Sequence, residues 1–146
     1  MNTQLRIVET EQDLRACYPV MKELRPHLQS EDAFVAQVLR QQEQQYHILA
    51  VWEDGQVVAL AGYRYQENTV YGRFLYVDDL VSAESHRSRR WGARLLDRLT
   101  HYARDAQCVR LVLDTALTNS QAQRFYFREG LVMTSVRFGK ALEVAA

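Results

Sequence analysis

One apolar stripe along residues 91–106 restricts the fold of this chain more than any other pattern in it. Its apolar members are Trp91, Leu95, Leu96, Leu99, Tyr102, Ala103 and Ala106. This spacing places them on one face of an α-helix, and that face must be buried against another layer. Residues 109–113, Val-Arg-Leu-Val-Leu, follow the stripe and are typical of a buried strand.

The other periodic segments predict a mixed sheet. Thr10 offers an N-cap for a first helix that stops before Pro26, a second helix begins after Ser30, and Asp54-Gly55 is a strong hairpin signal. We predict strands over 5–8, 46–52, 57–65, 70–81, 109–113 and 131–138, and the last helix over 120–129. The order β-α-α-β-β-β-α-β-α-β indicates an α/β fold with a mixed sheet, in a single domain over residues 1–146.

The net charge of zero divides into two halves of opposite sign. Residues 1–86 carry thirteen acidic and seven basic side chains, whereas residues 87–146 carry five acidic and eleven basic ones. This segregation indicates an anion held by the C-terminal half. Overall neutrality and a hydrophobic content of 47% exclude a globally basic nucleic-acid binder and a disordered acidic protein.

Cysteine usage and the absence of targeting signals indicate a cytoplasmic protein. Cys17 and Cys108 lie far apart and predict buried thiols in a reducing compartment. The first residues lack the apolar core of a signal peptide, and no apolar run approaches the roughly 18 residues that span a bilayer. We therefore expect no membrane partner. The histidines have no paired spacing with acids or cysteines, so we also expect no metal site.

Residues 87–93, Arg-Ser-Arg-Arg-Trp-Gly-Ala, are the first candidate binding site. The first turn of a helix has unpaired backbone N–H groups at the positive end of the helix dipole, which suits phosphate. Arg87, Arg89 and Arg90 add cations, and Gly92 allows a close approach to the backbone. Local chemistry alone does not distinguish this site from an alternative without a ligand. In that alternative the arginines are solvated charges at the start of a helix, and Gly92 is there for packing.

Three segments together resemble the GNAT superfamily of N-acetyltransferases. Arg87-x-x-Arg90-x-Gly92 is similar to the superfamily's pyrophosphate loop, Gln/Arg-x-x-Gly-x-Gly/Ala, with Arg90 in place of the middle glycine. Residues 119–131 are similar to its Asn-x-x-Ala-x-x-apolar-Tyr-x-x-x-Gly-apolar segment, and residues 76–81, Tyr-Val-Asp-Asp-Leu-Val, to the acidic end of its central strand. The resemblance implies a GNAT fold, with splayed parallel strands in a mixed sheet and about four flanking helices.

The resemblance also implies how acetyl-CoA is bound. Its pantetheine arm lies between the strands that end at Val81 and Leu113, where main-chain groups at Leu80 and Val81 pair with it as an added strand would. Asn119 contacts the arm near the thioester, and Tyr126 lies near the sulfur. The pyrophosphate is held by Arg87, Ser88, Arg89, Arg90, Trp91, Gly92 and Ala93.

The implied reaction is direct transfer of an acetyl group to a primary amine through a tetrahedral intermediate. Tyr126 is the expected general acid, because a phenol can protonate the departing thiolate; a core tyrosine is the alternative. Asp78 is the favoured general base, with Asp79 the second candidate. Neighbouring strand residues face opposite ways, so we expect at most one of the two to reach the acyl centre. An unperturbed carboxylate is a weak base, so Asp78 needs a raised pKa or a water relay, and ordinary strand-end charges are the alternative.

The acceptor is less constrained by the sequence. An aromatic set on two strands could hold a cationic amine, with Asp78 or Glu67 adding charge, although ordinary strand formers explain it as well. Its members are Tyr63, Tyr65, Tyr71, Arg73 and Tyr76. The acidic half favours a small cationic amine, a peptide or protein amine stays open, and resembling proteins commonly form homodimers. A non-catalytic acyl-CoA-binding domain is the alternative function, and nucleic acid is not expected as a partner because aromatics do not interleave with the arginines.

Overall fold

The computed structural model describes residues 2–87 and 89–144, and within them five strands form one mixed sheet in the order β1-β2-β3-β4-β5. The strands are β1 (Thr3–Ile7), β2 (Tyr46–Glu53), β3 (Gln56–Asn68), β4 (Gly72–Ser82) and β5 (Arg110–Leu113). Neighbouring strands pair antiparallel except β4 and β5, which are parallel. The predicted mixed α/β sheet is therefore confirmed.

Four α-helices accompany the sheet in the described residues: α1 (Glu11–Leu24), α2 (Glu31–Gln42), α3 (Trp91–Asp105) and α4 (Ser120–Arg128). The Thr10 hydroxyl accepts from the Asp13 N–H at 3.1 Å, and the Ser30 hydroxyl accepts from the Ala33 N–H at 3.0 Å. Each side chain satisfies one of the donors that a helix start leaves without an intrahelical partner. The two predicted starts are confirmed.

The sheet is covered on both faces. On one face, Tyr46, Ile48 and Ala50 of β2 share a buried core with residues of α1 and α2, such as Leu14 and Phe34. On the other face, His47 packs on Tyr63, and Tyr63 packs on Tyr102 of α3. Five of the seven residues of the predicted apolar stripe are buried, with Leu95 and Leu99 fully enclosed, and Tyr102 and Ala106 are partly buried. Strand alternation thus sends successive β2 side chains to different helices.

The parallel pair β4–β5 is short. Phe74–Val77 of β4 pair with Arg110–Leu113 of β5, and β4 then continues to Ser82 with β3 as its only strand neighbour among the described residues. One edge of residues 78–82 is therefore left without a strand. This opening corresponds to the splayed parallel strands that the resemblance implied.

The chain divides into two compact units, Met1–Leu113 and Asp114–Ala146, and the second contains α4. Gly130 follows α4 with φ +91°, as expected for the residue that ends a helix. The strand predicted over residues 131–138 is wrong: residues 131–144 contain no helix or strand, and Phe138 is 93% exposed. Apolar alternation signals strand propensity, but a strand also needs a partner backbone that the pattern does not specify.

The prediction of a single domain over residues 1–146 stays a prediction. Of the two cysteines, Cys17 is buried and Cys108 is partly exposed. No helix in the described part of the chain is long and apolar enough to cross a membrane.

Candidate functional site

A β-bulge at Asp78 organises the end of β4. Gly62 of β3 lies opposite Asp79, and the next residue, Tyr63, lies opposite Val77, so Asp78 is the extra residue of the bulged strand. A bulge interrupts strict alternation and redirects side chains. The expectation that Asp78 and Asp79 point to opposite faces therefore fails, and both carboxylates join one polar cluster around Tyr46.

Asp79 is a buried carboxylate with two kinds of partner. The Tyr46 hydroxyl donates to its Oδ2 at 2.6 Å, and Arg25, at the end of α1, donates from Nε and Nη2 to its Oδ1 at 3.2 and 3.0 Å. Arg25 Nη2 also donates to the main-chain oxygen of Asp78 at 2.9 Å. Charge-assisted hydrogen bonds of this kind offset the cost of burying the carboxylate. Burial and the Asp79 charge raise the pKa of Tyr46 well above its ordinary value, so Tyr46 stays a donor.

Asp78 is held by Arg64 of β3. The Arg64 Nε donates to both carboxylate oxygens, at 2.9 and 3.2 Å, while its Nη1 donates to the side-chain oxygen of Gln44 at 2.7 Å. The pKa of Asp78 is raised, chiefly because burial disfavours its charged form; Asp79 adds to the rise, and Arg64 and Arg25 oppose it. The raised pKa is what a carboxylate needs in order to act as a base near neutral pH.

Gly62 provides the space for this cluster. A Cβ on Gly62 would overlap the Tyr46 hydroxyl oxygen and Asp79 Oδ2, and would lie 2.7 Å from Tyr46 Cζ. The hydrogen bond between Tyr46 and Asp79 thus occupies the volume that any larger residue at position 62 would need.

The predicted aromatic set does not form one wall of an acceptor pocket. Tyr63 is 1% exposed and packs with His47, Tyr65 and Tyr102 in an interior cluster, with ring centroids 5.4–6.2 Å apart. Tyr71 packs instead on Phe74, and Arg110 lies over its ring. Alternation alone could not distinguish tyrosines facing α3 from tyrosines facing an open site.

Arg73 and Glu67 lie directly opposite each other on β4 and β3, at a distance from the bulge. The Arg73 Nε donates to the main-chain oxygen of Ala106 at 2.8 Å. Glu67 therefore does not contribute charge beside Asp78.

The start of α3 has the features of an anion site. Arg90 precedes the helix with φ +62° and ψ +27°, a left-handed conformation that glycine adopts without strain. Arg90 thus stands in a conformation that a glycine at this position would adopt more easily. The first turn contains no acidic residue and no side-chain cap, and the N–H groups of Trp91, Gly92 and Ala93 have no acceptor among the described residues.

The arginines of this loop are not equivalent. Arg87 is exposed, but the Arg89 Nη1 donates to Oε1 of Glu53 at 3.2 Å, and His86 Nε2 lies 3.8 Å from the same oxygen. Glu53, at the end of β2, is 9% exposed. Arg89 therefore balances a buried carboxylate in addition to any charge that it offers a ligand. Ser88 lies outside the described residues.

Leu80 and Val81 lie on the part of β4 that β5 does not reach. They pair with Ala61 and Leu60 of β3, and no strand among the described residues pairs with the other edge of this segment. Backbone groups along such an edge can pair with an extended chain or an amide-containing arm.

In the second unit, the motif residues belong to α4. Asn119 is the N-cap of the helix, and its Oδ1 accepts from the Ala122 N–H at 3.1 Å. Tyr126 is partly buried, and burial raises the pKa of its phenol, which keeps the group protonated at neutral pH. The structure shows the capping role of Asn119, and its contact with the pantetheine arm stays a prediction.

Sequence reasoning missed the partners of the two carboxylates. Arg25, Tyr46 and Arg64 come from a helix end and two strands, so no local spacing connects them with Asp78 and Asp79. The one available signal was Gly62, because an isolated glycine in a strand pattern indicates a bulge or a close approach. In the described residues no group of three or more His, Cys, Asp or Glu side chains is placed to hold a metal ion.

Comparison with known proteins agrees with this geometry. The model of the acetyltransferase (GNAT) family matches residues 7–130. An uncharacterized N-acetyltransferase of Bacillus subtilis (strain 168), YhdJ, is 32% identical over 124 residues, which are 84% of this chain and 87% of that protein.

Solved structures share the fold at lower identity. The aminoglycoside N-acetyltransferase AAC(6')-Iy in complex with CoA has a TM-score of 0.85 at 16% identity. The match covers 98% of this chain and 96% of that protein's chain. The ribosomal-protein-alanine N-acetyltransferase of Brucella melitensis has a TM-score of 0.81 at 19% identity, with 97% and 100% covered.

The chain belongs to the acetyltransferase (GNAT) family. It is an N-acetyltransferase, and the resemblance found in its motifs is confirmed.

We predict that Gly62→Ala destabilises the fold by about 1–3 kcal/mol, because the new Cβ overpacks the contact between Tyr46 and Asp79. Chemical denaturation measures the loss. Adding Tyr46→Phe removes the overlapping hydroxyl. The double variant should therefore lose less free energy of unfolding than the sum of the losses in the two single variants. Gly139→Ala is the matched control, because Gly139 has open space around it and should stay near neutral. Equal effects at positions 62 and 139 would contradict the packing argument.

We predict opposite effects for two Arg→Gly changes four residues apart. Arg90→Gly relieves the left-handed strain and should leave the free energy of unfolding unchanged or raise it by up to about 1 kcal/mol. Arg94→Gly, inside α3, should lower it by about 1 kcal/mol, because glycine is a poor helix former. The same unfolding measurement serves both, and a loss at position 90 as large as at position 94 would contradict the account of Arg90.

Proposed function

We propose that this enzyme transfers the acetyl group of acetyl-CoA to a primary amine by direct attack, through a tetrahedral intermediate and without a covalent acyl-enzyme. The observation that carries the proposal is the open edge of β4 beside the bulge at Asp78. A carboxylate with a raised pKa lies directly next to a backbone edge suited to a pantetheine arm. The CoA complex of a protein with the same fold supports acetyl-CoA as the donor.

The donor would use three parts of the chain. Main-chain groups of Leu80 and Val81 pair with the amides of the pantetheine arm. The pyrophosphate would be bound at the start of α3 by residues 87–93, which are Arg87, Ser88, Arg89, Arg90, Trp91, Gly92 and Ala93. The N–H groups of the first turn, which have no acceptor among the described residues, and the positive end of the helix dipole support this assignment, together with the cations of Arg87 and Arg90. Asn119 would contact the arm through its side-chain amide, whose oxygen also caps α4.

The transfer needs proton movements at the amine nitrogen and at the thiolate sulfur. The protonated amine must lose one proton so that its lone pair can form the C–N bond; when the tetrahedral intermediate collapses, the C–S bond breaks, the nitrogen loses a second proton and the released thiolate takes up a proton. We assign the first proton transfer to Asp78, directly or through water, and protonation of the thiolate to Tyr126, whose phenolate then regains a proton from the nitrogen or from water. Asp79 is the weaker candidate for the base because its side chain is less exposed than that of Asp78, at 10% against 18%, and is held by two residues, Tyr46 and Arg25; it would support the geometry of its neighbour. The protonated state of Tyr126 supports its assignment.

The acceptor is a primary amine of undetermined kind. The two solved structures above are named for an aminoglycoside and for a ribosomal protein, so the same fold is used with small molecules and with proteins. The preference for a small cationic amine rested on acidic charge, but Arg25 and Arg64 balance Asp79 and Asp78 at the bulge. A cytoplasmic location, supported by two cysteines without a disulfide, and a homodimer stay predictions.

The proposed reaction is tested by release of CoA thiol from acetyl-CoA over a panel of amines. Tyr126→Phe should lower kcat by roughly 10²-fold, because the departing thiolate loses its proton donor, while the affinity for acetyl-CoA is retained.

Tyr71→Phe removes a hydroxyl from a tyrosine packed on Phe74, away from the bulge, and should leave kcat unchanged. If no amine is acetylated by a chain that binds acetyl-CoA, the enzymatic proposal is wrong. If both Phe variants keep full activity, Tyr126 is not the acid.

The pH dependence of the reaction should report Asp78. A base acts only when deprotonated, so kcat/KM should fall as the pH drops through its raised pKa. Arg64→Gln removes a cation that lowers this pKa, and the acidic limb of the profile should therefore move to higher pH.

The acceptor amine also titrates, but its own limb is the same for both proteins, so the difference between wild type and Arg64→Gln isolates the enzyme group. Asp78→Asn should lower kcat/KM, and the pH profile that remains should show only the titration of the acceptor amine. A limb that stays in place in Arg64→Gln would show that Asp78 is not the base.

A further inference from the structure

The two carboxylates at the bulge are electrically balanced by two guanidinium groups. Arg64 Nε lies 2.9 Å from Asp78 Oδ2, and Arg25 Nη2 lies 3.0 Å from Asp79 Oδ1. Two negative and two positive charges within one cluster leave no net charge to attract a cationic acceptor. The recognition of an acceptor beside Asp78 must therefore depend on the hydrogen-bonding groups that the cluster leaves available.

The two guanidinium groups differ in how much of each remains available. The side chain of Arg64 is 16% exposed, and its Nε and Nη1 are used by Asp78 and Gln44. The side chain of Arg25 is 41% exposed, and its Nε and Nη2 are used by Asp79 and the Asp78 carbonyl. Nη1 of Arg25 and Nη2 of Arg64 each lack a partner among the described residues, so the greater exposure of Arg25 is what makes its spare donors accessible. Arg25 is thus an oriented cation with donors to spare.

The position of Arg25 is fixed from both ends. Its backbone N–H donates to the Met21 oxygen at the end of α1, and its guanidinium makes three hydrogen bonds to β4. A guanidinium held in this way loses little conformational freedom when it binds a second anion, and its planar donors match the oxygens of a carboxylate or phosphate. The contact with the Asp78 carbonyl places this group beside the proposed base.

We propose that Arg25 binds an anionic group of the acceptor, so that the preferred acceptor carries a carboxylate or phosphate in the same molecule as its amine. This inference rests on the proposed acetyl transfer and narrows its substrate class. The amine is directed to Asp78 while the anion occupies the spare donors of Arg25. The role is one of specificity, because Arg25 takes no part in proton transfer.

The test compares two matched pairs of acceptors: an α-amino acid with its carboxamide, and an amino sugar phosphate with the unphosphorylated amino sugar. Rates are expressed per unprotonated amine, since the anion changes the pKa of the amine. The wild-type enzyme should favour the anionic member of at least one pair by about tenfold or more in kcat/KM, as expected for a charge-assisted contact. The pair that shows the preference identifies the anion as carboxylate or phosphate.

Arg25→Gln should abolish most of this preference, and Arg25→Lys should retain part of it because the charge is kept. A purely structural role of Arg25 would lower the rates of both members equally and leave their ratio unchanged. Arg64→Gln is the matched control, because the Arg64 side chain is less accessible to an acceptor than that of Arg25, at 16% against 41% exposed, and its ratio should stay at the wild-type value. Thermal unfolding of each variant shows whether the fold is retained, and the lysine variant provides the comparison if the glutamine variant does not fold.

The inference is overturned if the wild-type enzyme favours the anionic member of neither pair, or if Arg25→Gln keeps the wild-type ratio. Acetylation of other amines with no turnover of either anionic acceptor also overturns it, while the proposed acetyl transfer stands. Absence of turnover with every amine overturns both.

Discussion

The hydrogen bond between Tyr46 and Asp79 is the interaction on which the arrangement of the site depends. It lies in the space that Gly62 leaves empty, and it satisfies a carboxylate that the sheet would otherwise bury without a neutral donor. Arg25 then joins the end of α1 to the same carboxylate, so the helical layer and β4 meet at one acid. Because a buried charge without partners is costly, each member of this group requires the others.

The bulge and the short β4–β5 pairing act together. The bulge gathers both carboxylates on the side of Tyr46, and the loss of β5 as a neighbour past Val77 exposes the edge of the same residues. An acid group and an open backbone edge thus arise from two independent departures from a regular sheet. Such departures are common where a sheet serves a function, because a regular ladder leaves no backbone groups for a ligand.

Much of the fold could be predicted from local patterns. The cap at Thr10, the helix start after Ser30, the Asp54-Gly55 hairpin and the α3 stripe each depend on residues close in sequence, and all of them are confirmed. The strand over 131–138 could not be predicted correctly, because strand formation depends on a distant partner. The hydrogen-bond donors to Asp78 and Asp79 were missed for the same reason, because they lie between 14 and 54 residues away in the sequence.

The pair formed by Arg89 and Glu53 has a consequence for the salt dependence of donor binding. A cation that already neutralises a buried acid releases fewer counterions from a phosphate than a free one does, and withdrawing it would leave Glu53 with His86 as its remaining partner. The loop therefore offers less effective charge than its three arginines indicate. Ionic strength should weaken the binding of a polyphosphate less steeply than a count of basic residues suggests, and backbone N–H groups, which salt screens little, should carry a correspondingly larger share of the affinity.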